Sequence, residues 1–170
     1  MALKAIAKAE NVIRSLQNYV QTQLGATFQG AAAGDRIDWG GGVPFNDADL
    51  PEWLQPRLLA AVRPDGLRGP RDQAGDRGNE LSWLYNLNIF VRPHDAANNF
   101  RILTLRDTVL DAFKVGTGIT VTDYAGDSST LGVLFSEGPD EDRPIVDPQR
   151  AEELLQHNLV IPLRWVEGFS

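Results

Sequence analysis

Apolar and polar residues alternate most regularly between Leu81 and Val91. A period of two places successive side chains on opposite faces of a β-strand, so this segment is predicted to be a strand with one buried face. The apolar face consists of Leu81, Trp83, Tyr85, Leu87, Ile89 and Val91. Leu84 and Phe90 interrupt the polar face, which is therefore expected to be covered at its ends.

Two segments show the three- and four-residue spacing of an amphipathic helix. The first predicted helix runs from Leu3 to Leu24 and stops at Gly25, and the second follows a turn at 93–98 and ends before Gly116. The predicted inward positions are Leu3, Ile6, Ile13, Leu16, Val20 and Leu24 in the first helix, and Ile102, Leu103, Val109, Leu110 and Phe113 in the second.

A hairpin is predicted from two short strands, Ile119–Tyr124 and Leu131–Phe135, on either side of the turn-forming sequence AGDSS. The last predicted strand, His157–Val166, contains Pro162. Because proline cannot donate a ladder hydrogen bond, this strand is expected to lie at a sheet edge or to carry a bulge.

Weaker patterns predict a short strand at 36–39 and an uncertain strand at 57–63, where Pro51 and Pro56 disfavour a long helix. A short helix is predicted over 149–155, with Asp147 as its cap.

Two segments lack any periodic pattern. Residues 64–79 are rich in glycine, proline and alternating charge and are predicted to form a mobile arm, and residues 137–148 are predicted to form an acidic, proline-punctuated loop. Strands joined by short turns favour antiparallel pairing. The chain is therefore predicted to be a single α+β domain over residues 1–170, with a mostly antiparallel sheet of about four strands and two amphipathic helices on one face.

Composition narrows the class of protein. The 170 residues are 42% hydrophobic and 23% charged, which is typical of a soluble globular domain. No apolar run approaches the length needed to span a bilayer, and the polar residues of the opening segment exclude a signal peptide. The net charge of −7 argues against a protein that grips nucleic acid, since such proteins normally carry a basic surface.

The candidate chemistry is sparse. Without cysteine, disulfides, thiolate metal sites and cysteine nucleophiles are excluded, and His94 and His157 are the only imidazoles. The acids of NDADLPE lack the spacing of a calcium loop, and the glycines at 40–42 lack that of a phosphate-binding loop. We therefore predict no cofactor, no metal and no catalytic residues.

The four tryptophans divide into two pairs. Trp83 and Trp165 lie on alternating strands and are predicted to fill the core, whereas Trp39 and Trp53 lie in weakly patterned segments. Aromatic side chains in such segments anchor either a partner or a loop, so both roles stay open for Trp39 and Trp53.

The order of these elements resembles that of the tail terminator, or tail completion, proteins of long, non-contractile-tailed bacteriophages. An opening amphipathic helix ends in LGAT, and NDADLP leads into a strand. An arm then precedes the long strand ELSWLYNLNIFVRP, which a turn joins to the helix FRILTLRDTVLDAF, and HNLVIPLRWVE is the closing strand.

This resemblance implies a structural virion protein located at the head–tail junction, and in the host cytoplasm during assembly. Six copies would form a ring that caps the tail tube, ends its polymerisation and offers a surface to head–tail connector proteins. The expected partners are other copies of the chain, the tail tube protein and those connectors, with double-stranded DNA passing through unbound and no membrane involved.

The residues suggest where such contacts would lie. The candidate subunit or partner interface comprises Trp39, Trp53, Leu67, Arg68 and Arg71. Asp140, Glu141 and Asp142 are the candidate lumen-facing acids, because a conduit for DNA should repel phosphate rather than hold it.

Three alternatives remain open from the sequence. The chain could be a different head–tail connector or minor tail protein, or an unrelated soluble binding module. It could also be an enzyme, with His94, His157 and the acidic residues as its chemical resources.

Overall fold

The computed structural model describes residues 9–62, 82–93, 100–149 and 153–167. Two helices and six strands form an α+β fold, which confirms the predicted class. In chain order they are α1 (Ala9–Leu24), β1 (Glu52–Val62), β2 (Ser82–Val91), α2 (Arg101–Ala112), β3 (Gly118–Thr122), β4 (Thr130–Ser136), β5 (Glu141–Ile145) and β6 (Leu155–Glu167).

All strand pairs are antiparallel, and five strands follow the order β1-β2-β6-β4-β3. The sixth, β5, pairs with β6 on the same side as β4 but further towards the start of β6. The prediction of about four strands is too low, because the structure also forms strands in two proline-containing segments. These are β1 and β5.

Strand β1 begins at Glu52, earlier than the uncertain strand predicted at 57–63. Pro56 is tolerated because it lies opposite Leu87 at a position whose nitrogen faces the outer edge of the sheet. The same edge receives a short segment, in which the Asp38 N–H donates to the Leu54 carbonyl at 2.8 Å. The strand predicted at 36–39 is therefore reduced to one bridge between Ile37 and Leu54.

Strand β6 is the centre of the sheet, so the prediction of an edge strand or a bulge is wrong. Pro162 lies where the neighbour of β6 changes from β5 to β4, and its carbonyl accepts the Glu137 N–H at 3.0 Å. No donor from β6 is required at that point. A central proline is accommodated because the ladder is interrupted there on one side, while pairing with β2 continues.

Strand β5 replaces part of the acidic loop predicted at 137–148. Its five residues, EDRPI, are mostly exposed, so no alternation of apolar residues marks it. It is held through the backbone by its ladder with β6, and the adjoining Asp140 N–H donates to the Val160 carbonyl at 2.8 Å. The predicted helix at 149–155 is wrong at its end, because Leu155 begins β6.

Both helices contribute to one apolar core on the inner face of the sheet. The inner positions of β2 predicted from alternation are buried where the structure describes them, and Trp83 and Trp165 are core residues as predicted. Ile13 and Leu103 were predicted to point inward, but both are exposed. The buried apolar residues of the helices are Val12, Leu16, Val20 and Leu24 in α1 and Leu105 and Val109 in α2.

The predicted hairpin is confirmed, because β3 and β4 pair around the turn after Thr122. The predicted arm at 64–79 and the turn residues 94–98 lie outside the described residues, as does the start of the first helix before Ala9.

Candidate functional site

A cluster of charged side chains joins α2 to β5 and β6. Arg106 of α2 donates to both carboxylate oxygens of Asp142 on β5, with Nε distances of 2.9 and 3.1 Å. Asp142 also lies 2.7 Å from Nε2 of His157 on β6, and Arg106 contacts Asp107 at 2.5 Å. The cluster therefore links α2 to β5 and β6, although Arg106 and Asp142 lie 36 positions apart in the sequence.

The charges in this cluster strongly favour the ionised carboxylate of Asp142. Its hydrogen bonds from Arg106, together with the contact to His157, lower the pKa of Asp142 to about 2, against a smaller opposing effect of burial. The same bond raises the pKa of Arg106. Asp142 is therefore a fixed anion at neutral pH, engaged by two partners.

His157 combines burial with a single defined contact. Only 5% of the residue is exposed, and its ring lies on the inner face of β6, in the same alternation as Leu159 and Ile161. The imidazole is oriented by Asp142 in the way that a histidine in a catalytic pair would be. The arrangement also stabilises the fold, because it satisfies both side chains at the border of the helix–sheet interface.

Beside His157 an apolar cavity of approximately 180 Å³ lies between the start of α2 and the β5–β6 pair. Its lining is Ile102, Leu103, Pro144, Ile145, Val146, Asp147, Leu154, Leu155, Gln156 and His157. Most of this surface is aliphatic. A cavity of this size can hold one large apolar group, since an engineered protein cavity of about 150 Å³ binds benzene.

The two ends of the sheet differ in how their edges are covered. At the β3 end, Ser15 and Asn11 of α1 accept the Thr122 and Tyr124 N–H groups, each at 3.1 Å. The alternation of the ladder directs the backbone of Thr120 to the same side, and no described residue pairs with it there. Thus α1 covers one half of this edge and leaves the other half open.

At the β1 end, the segment around Ile37 covers the strand only as far as Leu54. Arg57 reinforces that contact through an ion pair with Asp38 at 2.8 Å. From Leu58 to Val62 the outer edge of β1 has no strand partner among the described residues. Unpaired edges of this kind can accept another strand.

The sheet face away from the helices is rich in hydrogen-bonding side chains. Gln55, Asn88, Asn158 and Arg143 stand in register across β1, β2, β6 and β5. The side-chain oxygens of Asn86 and Asn158 are buried and have no hydrogen-bond partner among the described residues. Trp53, Phe90 and Val160 lie on the same face, and Trp53 and Val160 are buried, so this face carries both polar and apolar residues where it is described.

The residues predicted to form a subunit or partner interface do not form one surface among the described residues. Trp53 is 4% exposed and stacks on Phe90 at 4.9 Å, with the Arg92 guanidinium 5.3 Å from its ring, so it anchors the chain's own structure and leaves little surface for a partner. Trp39 packs partly buried against the core. Leu67, Arg68 and Arg71, like His94, lie outside the described residues.

The predicted lumen acids are also separated. Asp140 is exposed, and Glu141 forms an ion pair with Arg143 at 3.4 Å. Asp142 points instead into the cluster with Arg106 and His157. The acid–cation network and the cavity were missed, because the arginine and the carboxylate lie 36 positions apart in the sequence.

Within the described ranges, no group of three or more His, Asp or Glu side chains is placed to bind a metal ion. Among the same residues, no helix is long and apolar enough to cross a membrane.

The comparisons with known proteins give no family to which this chain can be assigned. No protein-family model matches it, and no curated protein is significantly similar to it in sequence.

Proposed function

We propose that this chain is a structural subunit of a closed ring, of the tail-terminator type, that caps a phage tail tube and joins it to the head. The observation that supports this proposal best is the sheet with an incompletely covered edge at each end, β1 and β3. The same arrangement fits another head–tail connector or minor tail protein, which is the nearest alternative.

The two ends of the sheet are chemically different, and this favours head-to-tail association. The β1 end offers backbone groups from Leu58 onward beside the Arg57–Asp38 pair, whereas the β3 end offers Thr120 beside α1. A contact between unlike surfaces repeats from copy to copy and closes into a ring when the rotation allows. Backbone pairing at an edge is a common way to form such contacts.

The charge of the chain is compatible with a conduit for DNA. Six copies at −7 each would carry −42, which disfavours tight binding of phosphate. Of the three acids expected in the lumen, Asp140 and Glu141 are exposed, with Glu141 in its ion pair with Arg143, while Asp142 is held in its cluster. We retain Asp140 and Glu141 as the proposed lumen-facing acids.

Sedimentation of the purified chain tests the ring. Six copies of 18.7 kDa should give a particle of about 112 kDa. Thr120→Pro removes an outward N–H from β3 without removing a bond to β4, so it should shift the chain towards the monomer.

A matched control introduces proline where the backbone already suits it. The Thr117 N–H donates to the Lys114 carbonyl at 3.0 Å, and Gly116 has φ of 83°, so Val115 occupies the turn position that proline favours. Val115→Pro should leave the particle intact. A chain that stays monomeric at every soluble concentration, and in electron micrographs of assembled phage lies away from the head–tail junction, would contradict the proposal.

A further inference from the structure

The apolar cavity between α2 and β6 opens at a surface where apolar side chains are already exposed. Leu103 and Val146 both line the cavity, and they are 47% and 72% exposed. Leu103 was expected to point inward from its helical spacing, and the structure places it at the mouth of the cavity instead. Exposed apolar side chains grouped around a concave site are typical of a binding surface.

The walls of this cavity are held in place without a ligand. Pro144 pairs with His157 and Ile145 with Gln156 in the β5–β6 ladder, so two walls belong to one sheet. On the opposite side, Arg106 ties α2 to Asp142 of the same strand, β5. A preformed site loses little conformational freedom on binding, which favours affinity.

The surroundings of the cavity are acidic. Asp147 belongs to the lining, and Glu153 precedes the lining residue Leu154. The two nearby arginines are already bound by carboxylates, Arg106 by Asp107 and Asp142 and Arg101 by Glu52. A segment that places positive charge beside the cavity would therefore be attracted.

We propose that this cavity docks one large apolar side chain, aromatic or branched, carried by a basic segment of a partner protein. The cavity volume limits the size of the side chain that can dock. The acidic residues near its opening favour positive charge on the residues before and after that side chain. This contact does not depend on ring formation, because every residue that forms it belongs to one chain.

A peptide titration tests the proposal with the full chain in its natural form. The probe is the peptide Lys-Arg-Phe-Arg-Lys, acetylated and amidated, and binding is followed by the NMR signals of Leu103, Val146 and Leu155. Two comparison peptides replace Phe by Ser or the four cations by acids. We expect each of them to bind at least tenfold more weakly at low salt.

Paired variants locate the site. Leu103→Gln should weaken the probe at least fivefold, whereas Leu59→Gln, at a similarly exposed leucine on β1, should not. Asp147→Asn should weaken it about twofold to threefold, and Asp127→Asn in the β3–β4 turn should have no effect. If Leu103→Gln lowers the melting temperature, Val146→Gln, immediately after the end of β5, gives the same test at a more exposed residue.

Three results would overturn the proposal. These are no binding of the basic Phe peptide, equal binding of the acidic one, and signals that move elsewhere on the chain. Binding of benzene at the cavity without any preference among the peptides would indicate a pocket for small apolar molecules instead. Loss of self-association in Leu103→Gln, with unchanged peptide binding, would indicate contact between copies. Thr120→Pro should leave peptide binding unchanged, which separates this test from that of the ring.

Discussion

The start and the middle of helix α2 are attached to the sheet by the same kind of bond in different surroundings. Arg101 binds Glu52 of β1 through two hydrogen bonds of 2.7 and 2.6 Å, and Arg106 binds Asp142 of β5. The strands β1 and β5 lie on opposite sides of the β2–β6 pair beneath the helix. Two arginines therefore fix α2 across the sheet.

The two attachments differ in the number of groups that contact the carboxylate. Glu52 is only 7% exposed and has a single cation, whose pKa the bond raises. Asp142 is more exposed but serves both Arg106 and the buried His157. Removing Arg106 takes the arginine from both Asp142 and Asp107 and leaves His157 as the partner of Asp142, whereas removing the charge of Glu52 takes one partner from Arg101. We expect the number of charged groups that an arginine holds, more than their burial, to decide how much each attachment contributes to the free energy of unfolding.

The largest effect is expected from Arg106→Ala. It leaves the Asp142 carboxylate beside Asp107 and His157 with no arginine, so the free energy of unfolding should fall by about 2 kcal/mol. Urea denaturation measures it. A loss no greater than that of Glu52→Gln would show that the two attachments are equivalent.

A smaller loss is expected from Glu52→Gln. The amide keeps the shape and one acceptor, and Arg101 is partly exposed and can turn to water, so the loss should be about 1.5 kcal/mol. The same denaturation curves give the value. A loss well above that of Arg106→Ala would mean that burial outweighs the number of charged groups held.

Lowering the pH should weaken the attachment of α2 to β5, because it protonates Asp142. Its pKa in the folded state, about 2, lies below its usual value of 3.8, so the ionised group stabilises the fold above pH 4 and that contribution is lost as the pH falls towards 2. The difference in unfolding free energy between wild type and Asp142→Asn should shrink by about 1 kcal/mol from pH 4 to pH 2, allowing for partial exposure. A constant difference over this range would contradict the prediction.

The smallest effect is expected from Arg143→Ala. Its ion pair with Glu141 lies on the exposed strand β5, and exposed pairs contribute less than about 0.5 kcal/mol. Thermal unfolding should show almost no change. A loss near that of Arg106→Ala would mean that β5 depends on its own surface charges and not on the attachment to α2.

These attachments could not be predicted from sequence, although much of the fold could. Strand β2 was predicted within one residue at its start, because alternation reports directly on a half-buried strand. Strand β5 has almost no buried side chain, so its pairing leaves no pattern to detect. Pro56 argued against a long helix, and the strand was predicted to begin only after it; the position of its nitrogen at the sheet edge explains why β1 tolerates it.

The candidate sites show the same limit. His157 was noted from sequence as one of two histidines. Asp142, which contacts it, was instead predicted to face the lumen of a ring. Nothing local in the sequence relates Arg106 to Asp142, since only the packing of α2 on the sheet brings them together. The exposure of Leu103 depends on how α2 is rotated, which helical spacing alone does not determine.

The central position of β6 has a consequence for synthesis on the ribosome. Strands β2 and β4 have no common neighbour until the segment from Leu155 onward has emerged, so one edge of each strand stays unpaired in the nascent chain until then. Incomplete sheets of this kind are prone to aggregate. The sheet should consequently gain its protection from proteolysis in one step, once β6 has emerged, and slow codons placed shortly before β6 should lower the yield.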